Sequence, residues 1–212
     1  MSNHILELHK SRKNLLNYLK RQNFDTDTHG TFSINEIQAM FESQNDDGMS
    51  SLDFEVFDKS NSSRKASVFY YMKPSSIKQN TLEDMVMEYY EENNKEDATF
   101  ILLMQGSLNE TVQKSIVSLW KKFKEYVIVF EIKSLQFNVF EHAYVPNHTK
   151  MTMQEKEALY KSKNISSDLQ MPEISVFDPV AKALLMKPGE LCKIERNDKI
   201  AFESLFYRVC VI

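Results

Sequence analysis

The chain has 212 residues, 42% of them apolar and 26% charged, with a net charge of −4. This length and apolar content suit one large or two small cored domains. The negative balance excludes a protein whose whole surface wraps nucleic acid, which needs many phosphate-neutralising cations, but it leaves room for one local basic patch.

The first predicted element is a helix. Ile5, Leu8, Leu15, Leu16 and Leu19 recur at helical intervals, and residues 1–24 carry Lys10, Arg12, Lys13, Lys20 and Arg21 against the single acid Glu7. Those five cations are candidates for sequence-independent contact with DNA phosphates, set against a solvated face that keeps the chain soluble. A second helix follows over "FSINEIQAMFES", where Ser33 and Glu36 have capping-box spacing. Between the two lies "DTDTHGTFSINE". Read as a calcium loop it places Asp25, Asp27, Gly30 and Glu36 at the first, third, sixth and twelfth positions. His29 at the fifth position is a poor calcium ligand, and the later "NDDG" at 45–48 lacks the spacing for a second loop, so the plain alternative is a polar connection between helices.

Beyond the polar stretch 43–51, "LDFEVF" and "KASVFYYMK" read as strands joined by the turn-like "DKSNSSR". "SIKQNTLEDMVMEYYEENN" is an amphipathic helix, "ATFILLM" a strand covered on both faces, "SLNETVQKSIVSLWKKF" a helix and "YVIVFEI" another central strand. Strands alternating with helices in this order predict a small α/β layer with a partly parallel sheet. Composition changes over 138–148, which sets the expected division at 1–140 and 141–212.

The tail is densely punctuated. Thr152 and Glu155 have capping-box spacing ahead of a helix, and "EISVF" is a short strand. Asp178 before Pro179 is the start signal of a short helix, "DPVAKALLM". Pro188-Gly189 suits the centre of a type II turn, "LCKIER" is a strand, "NDKIAF" a connection and "ESLFYRVCVI" a last strand, apolar on both faces. So small a domain offers little material to cover it, which points to a partner surface. Arg208 shares its parity with Phe206, Cys210 and Ile212, and is expected to reach a carboxylate or carbonyl near the 178–190 turn.

Catalytic parts are sparse. His4, His9, His29, His142 and His148 form no zinc or metalloprotease spacing. Glu83, Asp84, Glu88, Glu91, Glu92, Glu96 and Asp97 read as a solvated acidic face. Glu131 with Lys133 is the one pair that suggests a nuclease, and it lacks a second converging carboxylate. Gly30, Gly48, Gly106 and Gly189 make no phosphate loop, and there is no GxSxG elbow. Neither a cofactor nor a membrane contact is expected. Cys192 and Cys210 are too few for a disulfide-stapled secreted domain, and no signal core or 18-residue apolar run occurs. The triplets at Asn61, Asn109, Asn147 and Asn164 are then chance occurrences, and the expectation is a reduced, intracellular, soluble chain.

The tail resembles the RPB5 family of DNA-directed RNA polymerase subunits, archaeal members included. "EHAYVPNHTKMTMQEKEALY", "LQMPEISVFDPVAKALLMKPGELCKIER" and "FYRVCVI" carry the resemblance, through His142, Val145, Pro146, His148, Pro172, Ile174, Asp178, Pro179, Val180 and Ala181. It continues through Lys187, Gly189, Lys193, Ile194, Arg196, Tyr207, Arg208 and Val209. Two departures are specific. Leu185 stands where a glycine is usual, and "NDKIAFES" replaces a Ser-x-Thr-Ala-Gly stretch. The front half resembles the family through "ATFILLMQGSLNETVQKSIVSL", with Gln105 and Gly106 in place.

Archaeal members lack the front domain, so the resemblance implies the eukaryotic type of subunit, from a divergent eukaryote or a large DNA virus. The resemblance implies an α/β jaw domain with a small mixed sheet and flanking helices, then a compact α+β assembly domain. It implies a subunit without catalytic residues that docks on the largest polymerase subunit and forms part of the lower jaw beside downstream duplex DNA. The alternatives are a calcium-responsive interaction protein using Asp25, Asp27 and Glu36, and a degenerate nuclease-like enzyme.

Overall fold

A computed structural model describes residues 3–30, 32–42, 51–75, 77–198 and 202–212, the side chains of 197, 198, 202 and 203 excepted. The 45–48 run, Gly48 and the core of the "NDKIAF" connection lie outside the described residues. The chain forms two compact units, Met1–Phe137 and Asn138–Ile212.

In the first unit, helix α1 (Asn3–Arg21) precedes α2 (Ile34–Glu42), then strands β1 (Phe54–Phe57) and β2 (Lys65–Tyr71). Helix α3 (Gln79–Glu92), strand β3 (Ala98–Met104), helix α4 (Glu110–Phe123) and strand β4 (Val127–Glu131) follow. The sheet runs β1-β2-β3-β4, with β1 antiparallel to β2 and the other neighbours parallel. Every residue of β3 is buried, because helices cover both faces. Phe69 turns toward α3, meeting Tyr89 edge-on at 5.9 Å. Tyr70, one residue on, turns toward α1 and accepts from Arg12. This alternation is the two-residue period of a strand between two helical layers.

Local signals fix the helix ends. The Ser33 Oγ accepts from the Glu36 N–H at 3.3 Å, while Glu36 Oε2 accepts from the Ser33 N–H at 2.6 Å. Asn109 is the N-cap of α4, accepting from the Val112 N–H at 2.9 Å.

In the second unit, β5 (Asn147–Lys150), α5 (Met153–Lys163), β6 (Glu173–Ser175), α6 (Pro179–Ala183), β7 (Leu191–Asp198) and β8 (Phe202–Val211) make a sheet of order β5-β7-β8-β6. Thr152 and Glu155 form the reciprocal capping box of α5, and Asp178 caps α6 with Pro179 at its start. The "NDKIAF" connection is shorter than predicted: residues 197, 198 and 202 pair within the β7–β8 hairpin.

The terminal strand also departs from expectation. β8 is an inner strand with both edges paired, to β7 and β6. Val209 is buried with Leu191 and Met171, and Met151, Leu159, Tyr160 and Ile165 pack around them. The chain therefore covers residues 209 and 210 itself, drawing on segments far away in sequence. What it leaves open is the outer half, where Leu205 and Phe206 are 54% and 44% exposed.

Candidate assembly interface

The tail residues named above divide by what they touch. One group builds a frame. His148 is buried on β5, its Nδ1 2.7 Å from the Pro146 carbonyl. Burial pushes its pKa down; the Pro146 carbonyl and Asp178 oppose this, while Arg196 and Arg208 add to it. The Pro172 carbonyl accepts from the Val209 N–H at 2.9 Å, and Ile174 is buried on β6 opposite Cys210. Asp178 Oδ1 accepts from the Val180 N–H at 2.8 Å, which starts α6 at Pro179. Lys187, Pro188, Gly189 and Glu190 form the turn expected of Pro-Gly. Gly189 has φ +90°, and the Glu190 N–H donates to the Lys187 carbonyl at 3.1 Å. Tyr207 packs on the Leu191–Val209 cluster.

Arg208 does find a carbonyl, but a different one. Its Nη1 donates to Glu173 O at 2.9 Å, across the β6–β8 pair, and not to the 178–190 turn. Strand register sets Glu173 opposite Val209, next to Arg208, which brings that carbonyl within reach.

The other group is open to solvent. His142 accepts from the Tyr144 N–H at 3.3 Å, and Tyr144 is 91% exposed. Val145 and Pro146, with Tyr144 and Arg196, line an open groove of ≈ 660 Å³. Arg196 lies over the Phe206 ring at 4.6 Å, and Lys193 pairs with Glu195 at 2.8 Å. The groove and the exposed end of β8 thus share Arg196.

Two features were not foreseen. Lys156 on α5 pairs with Asp168 at 2.8 Å and donates to Gly189 O at 2.7 Å, tying helix, 3-10 turn and Pro-Gly turn together. Nothing local marks it, because its partners lie 12 and 33 positions away. Leu185, the residue in the glycine position, has φ +53°. A signal for that strain did exist: the missing glycine itself.

The basic helix needs a correction. Arg12 is 4% exposed; its Nη1 donates to Leu52 O at 2.8 Å, and its guanidinium lies 4.2 Å from the Phe54 ring centroid. It is a core cation, not a phosphate contact, because the ring and carbonyl replace its water. Lys10, Lys13, Lys20 and Arg21 are exposed, the three lysines on one helical stripe.

The alternative sites do not assemble. Glu36 is spent on the Ser33 cap, and Lys59 sits 3.9 Å from Asp25 and 3.6 Å from Asp27. His29 lies 3.1 Å from the Glu55 carbonyl. Glu131 Oε1 accepts from the Leu108 N–H at 2.6 Å, which makes it a loop anchor. Among the described residues no group of three or more His, Cys, Asp or Glu side chains could hold a metal ion. No described helix is long and apolar enough to cross a membrane. Cys192 and Cys210 are buried free thiols whose pKa values burial raises to about 11 and about 12.

Comparison with known proteins bears on the same unit. Residues 137–210 match the family model described as RNA polymerase Rpb5, C-terminal domain. The DNA-directed RNA polymerase subunit Rpo5 of Pyrococcus abyssi is 40% identical over 76 residues, 36% of this chain and 92% of that protein. Rpo5 of Archaeoglobus fulgidus is 39% identical over 77 residues, 36% of this chain and all of that protein. The DNA-directed RNA polymerases IV and V subunit 5B of Arabidopsis thaliana is 25% identical over 211 residues, 97% of this chain and 91% of that protein.

Proposed function

This chain belongs to the Rpb5/Rpo5 family of DNA-directed RNA polymerase subunits, and we propose on that footing that it docks on the largest polymerase subunit through Asn138–Ile212. The first unit then forms part of the lower jaw near downstream duplex DNA. The family is non-catalytic, so the chain's part is assembly and guidance of DNA, and the nucleotidyl-transfer chemistry belongs to other subunits.

The observation that carries this reading is a coincidence of boundaries. The family model covers 137–210 and the second compact unit covers 138–212, so the matched segment and that unit nearly coincide. Relatives of 76–77 matched residues consist of little else. The exposed groove of Val145, Pro146 and Arg196, continued by Leu205 and Phe206, is the surface assigned to the largest subunit. His148, Pro172, Ile174, Asp178, Pro179, Lys187, Gly189, Tyr207 and Arg208 hold its shape, while His142, bonded to Tyr144, and Lys193, paired with Glu195, flank the groove. The plant relative extends the likeness through the first unit, which supports a jaw there. Lys10, Lys13, Lys20 and Arg21 are its cations for phosphate; the neighbours supply most of the positive field, since the chain as a whole is acidic. Such a subunit works where transcription does, in the nucleus or in a viral factory or virion.

Affinity purification of the tagged chain from its own cells tests the reading. The large polymerase subunits should co-purify in stoichiometric amount. A preparation holding the intact chain and no polymerase subunit would overturn it.

A further inference from the structure

The first unit carries a feature that assembly through the second unit does not use. A cavity of ≈ 230 Å³ opens between α3 and the sheet, lined by Phe69, Met85, Glu88, Tyr89, Glu92 and Phe100. Its floor is aromatic. Phe69 and Phe100 stack at 4.6 Å, and Tyr89 stands edge-on to both at 5.9 and 5.2 Å. Its rim is anionic. Glu88 and Glu92 are exposed, one helical turn apart, and neither pairs with a described residue. The nearby cation is already engaged: Lys65 lies 5.9 Å from the Tyr89 ring centroid and pairs with Glu55 at 3.1 Å.

We propose that this cavity is a docking site for a lysine or arginine side chain presented by a polypeptide partner. Aromatic faces attract a cation through their quadrupole, and more strongly once it leaves water. Two unpaired carboxylates at the mouth add the charge that draws a basic group in and closes an ion pair over it. The size fits one side chain, since pockets for drug-sized ligands run to about 300–1,000 Å³. Nucleic acid is the wrong partner. From Gln79 to Asn94 the chain has Glu83, Asp84, Glu88, Glu91 and Glu92 and no basic residue, so this face repels phosphate.

The test uses the full chain carrying methionine labelled with 13C at the methyl group. Three blocked pentapeptides are titrated in, identical except for a central arginine, lysine or glutamine. The arginine and lysine peptides should move the Met85 methyl signal saturably, and the glutamine peptide should leave it in place. Glu88→Gln with Glu92→Gln should weaken binding by about tenfold or more. Phe69→Leu should weaken it too, while Asp84→Asn with Glu91→Gln, on the same helix outside the cavity, should change it by less than about twofold. A Met85 signal that stays still, or that moves equally with the glutamine peptide, would overturn the proposal. So would equal weakening by the two charge pairs, which would mean diffuse attraction to an acidic helix. A short DNA duplex that moves Met85 would overturn it in favour of nucleic acid.

Discussion

Gly189 and Cys210 are bonded through their backbones. The Gly189 N–H donates to the Cys210 carbonyl at 2.8 Å, and the Cys210 N–H donates to the adjoining Glu190 carbonyl at 2.8 Å. The Pro-Gly turn is thus fastened to the terminal strand, and the turn's backbone shape becomes part of the sheet.

Gly189→Ala isolates that shape. A Cβ at Gly189 meets nothing within 4 Å, so the cost comes from φ +90° alone. An L-residue there should lose about 1–2 kcal/mol. Urea unfolding should show a lower midpoint with an unchanged slope. A midpoint equal to that of the parent chain would show that the turn relaxes freely.

Leu185 poses the opposite problem. It holds φ +53° and is 2% exposed, so it combines backbone strain with buried side-chain contact. Glycine would relieve about 1–2 kcal/mol of strain, but it gives up about 1.5–3 kcal/mol of burial. Alanine keeps the strain and still loses most of the burial. The expected order of stability is therefore the parent chain, then Leu185→Gly, then Leu185→Ala. Alanine ranking above glycine would contradict the strain.

Arg12 and the exposed lysines should separate cleanly. Arg12→Ala removes the guanidinium's hydrogen bond to the Leu52 carbonyl and its contact with the Phe54 ring, at a cost of about 3 kcal/mol in unfolding free energy. Lys10→Gln with Lys13→Gln should stay within about 0.5 kcal/mol of the parent. In the assembled polymerase the lysine pair should instead reduce the salt dependence of downstream DNA binding by about one to two phosphates. Equal salt slopes would remove those lysines from the DNA path.

His148 gives a pH dependence with a defined sign. Its pKa lies below 6.5 in the fold, so between that lowered value and 6.5 the unfolded chain binds more protons than the native one. Stability is then full above 6.5 and falls as pH drops through 6.5 toward the native value. The carboxylates of Asp168 and Glu195 are held below their ordinary range and titrate lower than this window. His148→Gln should flatten this part of the stability profile. An unchanged slope would mean that His148 is as hydrated in the fold as out of it.

What the sequence revealed follows from distance along the chain. Ser33 with Glu36, Thr152 with Glu155, Asp178 with Pro179 and Pro188 with Gly189 act over three residues or fewer, so their spacing alone declared the helix ends and the turn. The buried run of β3 declared the layered sheet in the same way. Arg12 escaped because Leu52 and Tyr70 lie 40 and 58 positions away, and a helix full of cations gives no sign of which one turns inward. The cover of β8 escaped because Met151, Leu159, Ile165 and Met171 come from three segments that only the fold brings together. Of the candidate interface, the motif residues could be named through family resemblance. Their division into frame and open surface was not, since His148 and His142 look alike in a string of letters.

Cross-linking mass spectrometry on the polymerase purified through this chain tests the central claim most directly. Lysine-reactive cross-links should join Lys187 and Lys193 to the largest subunit, while those from Lys10 and Lys13 fall elsewhere. A complex in which Lys187 and Lys193 link only within this chain, with its surface otherwise contacting other subunits, would contradict the assignment of Asn138–Ile212 as the docking unit.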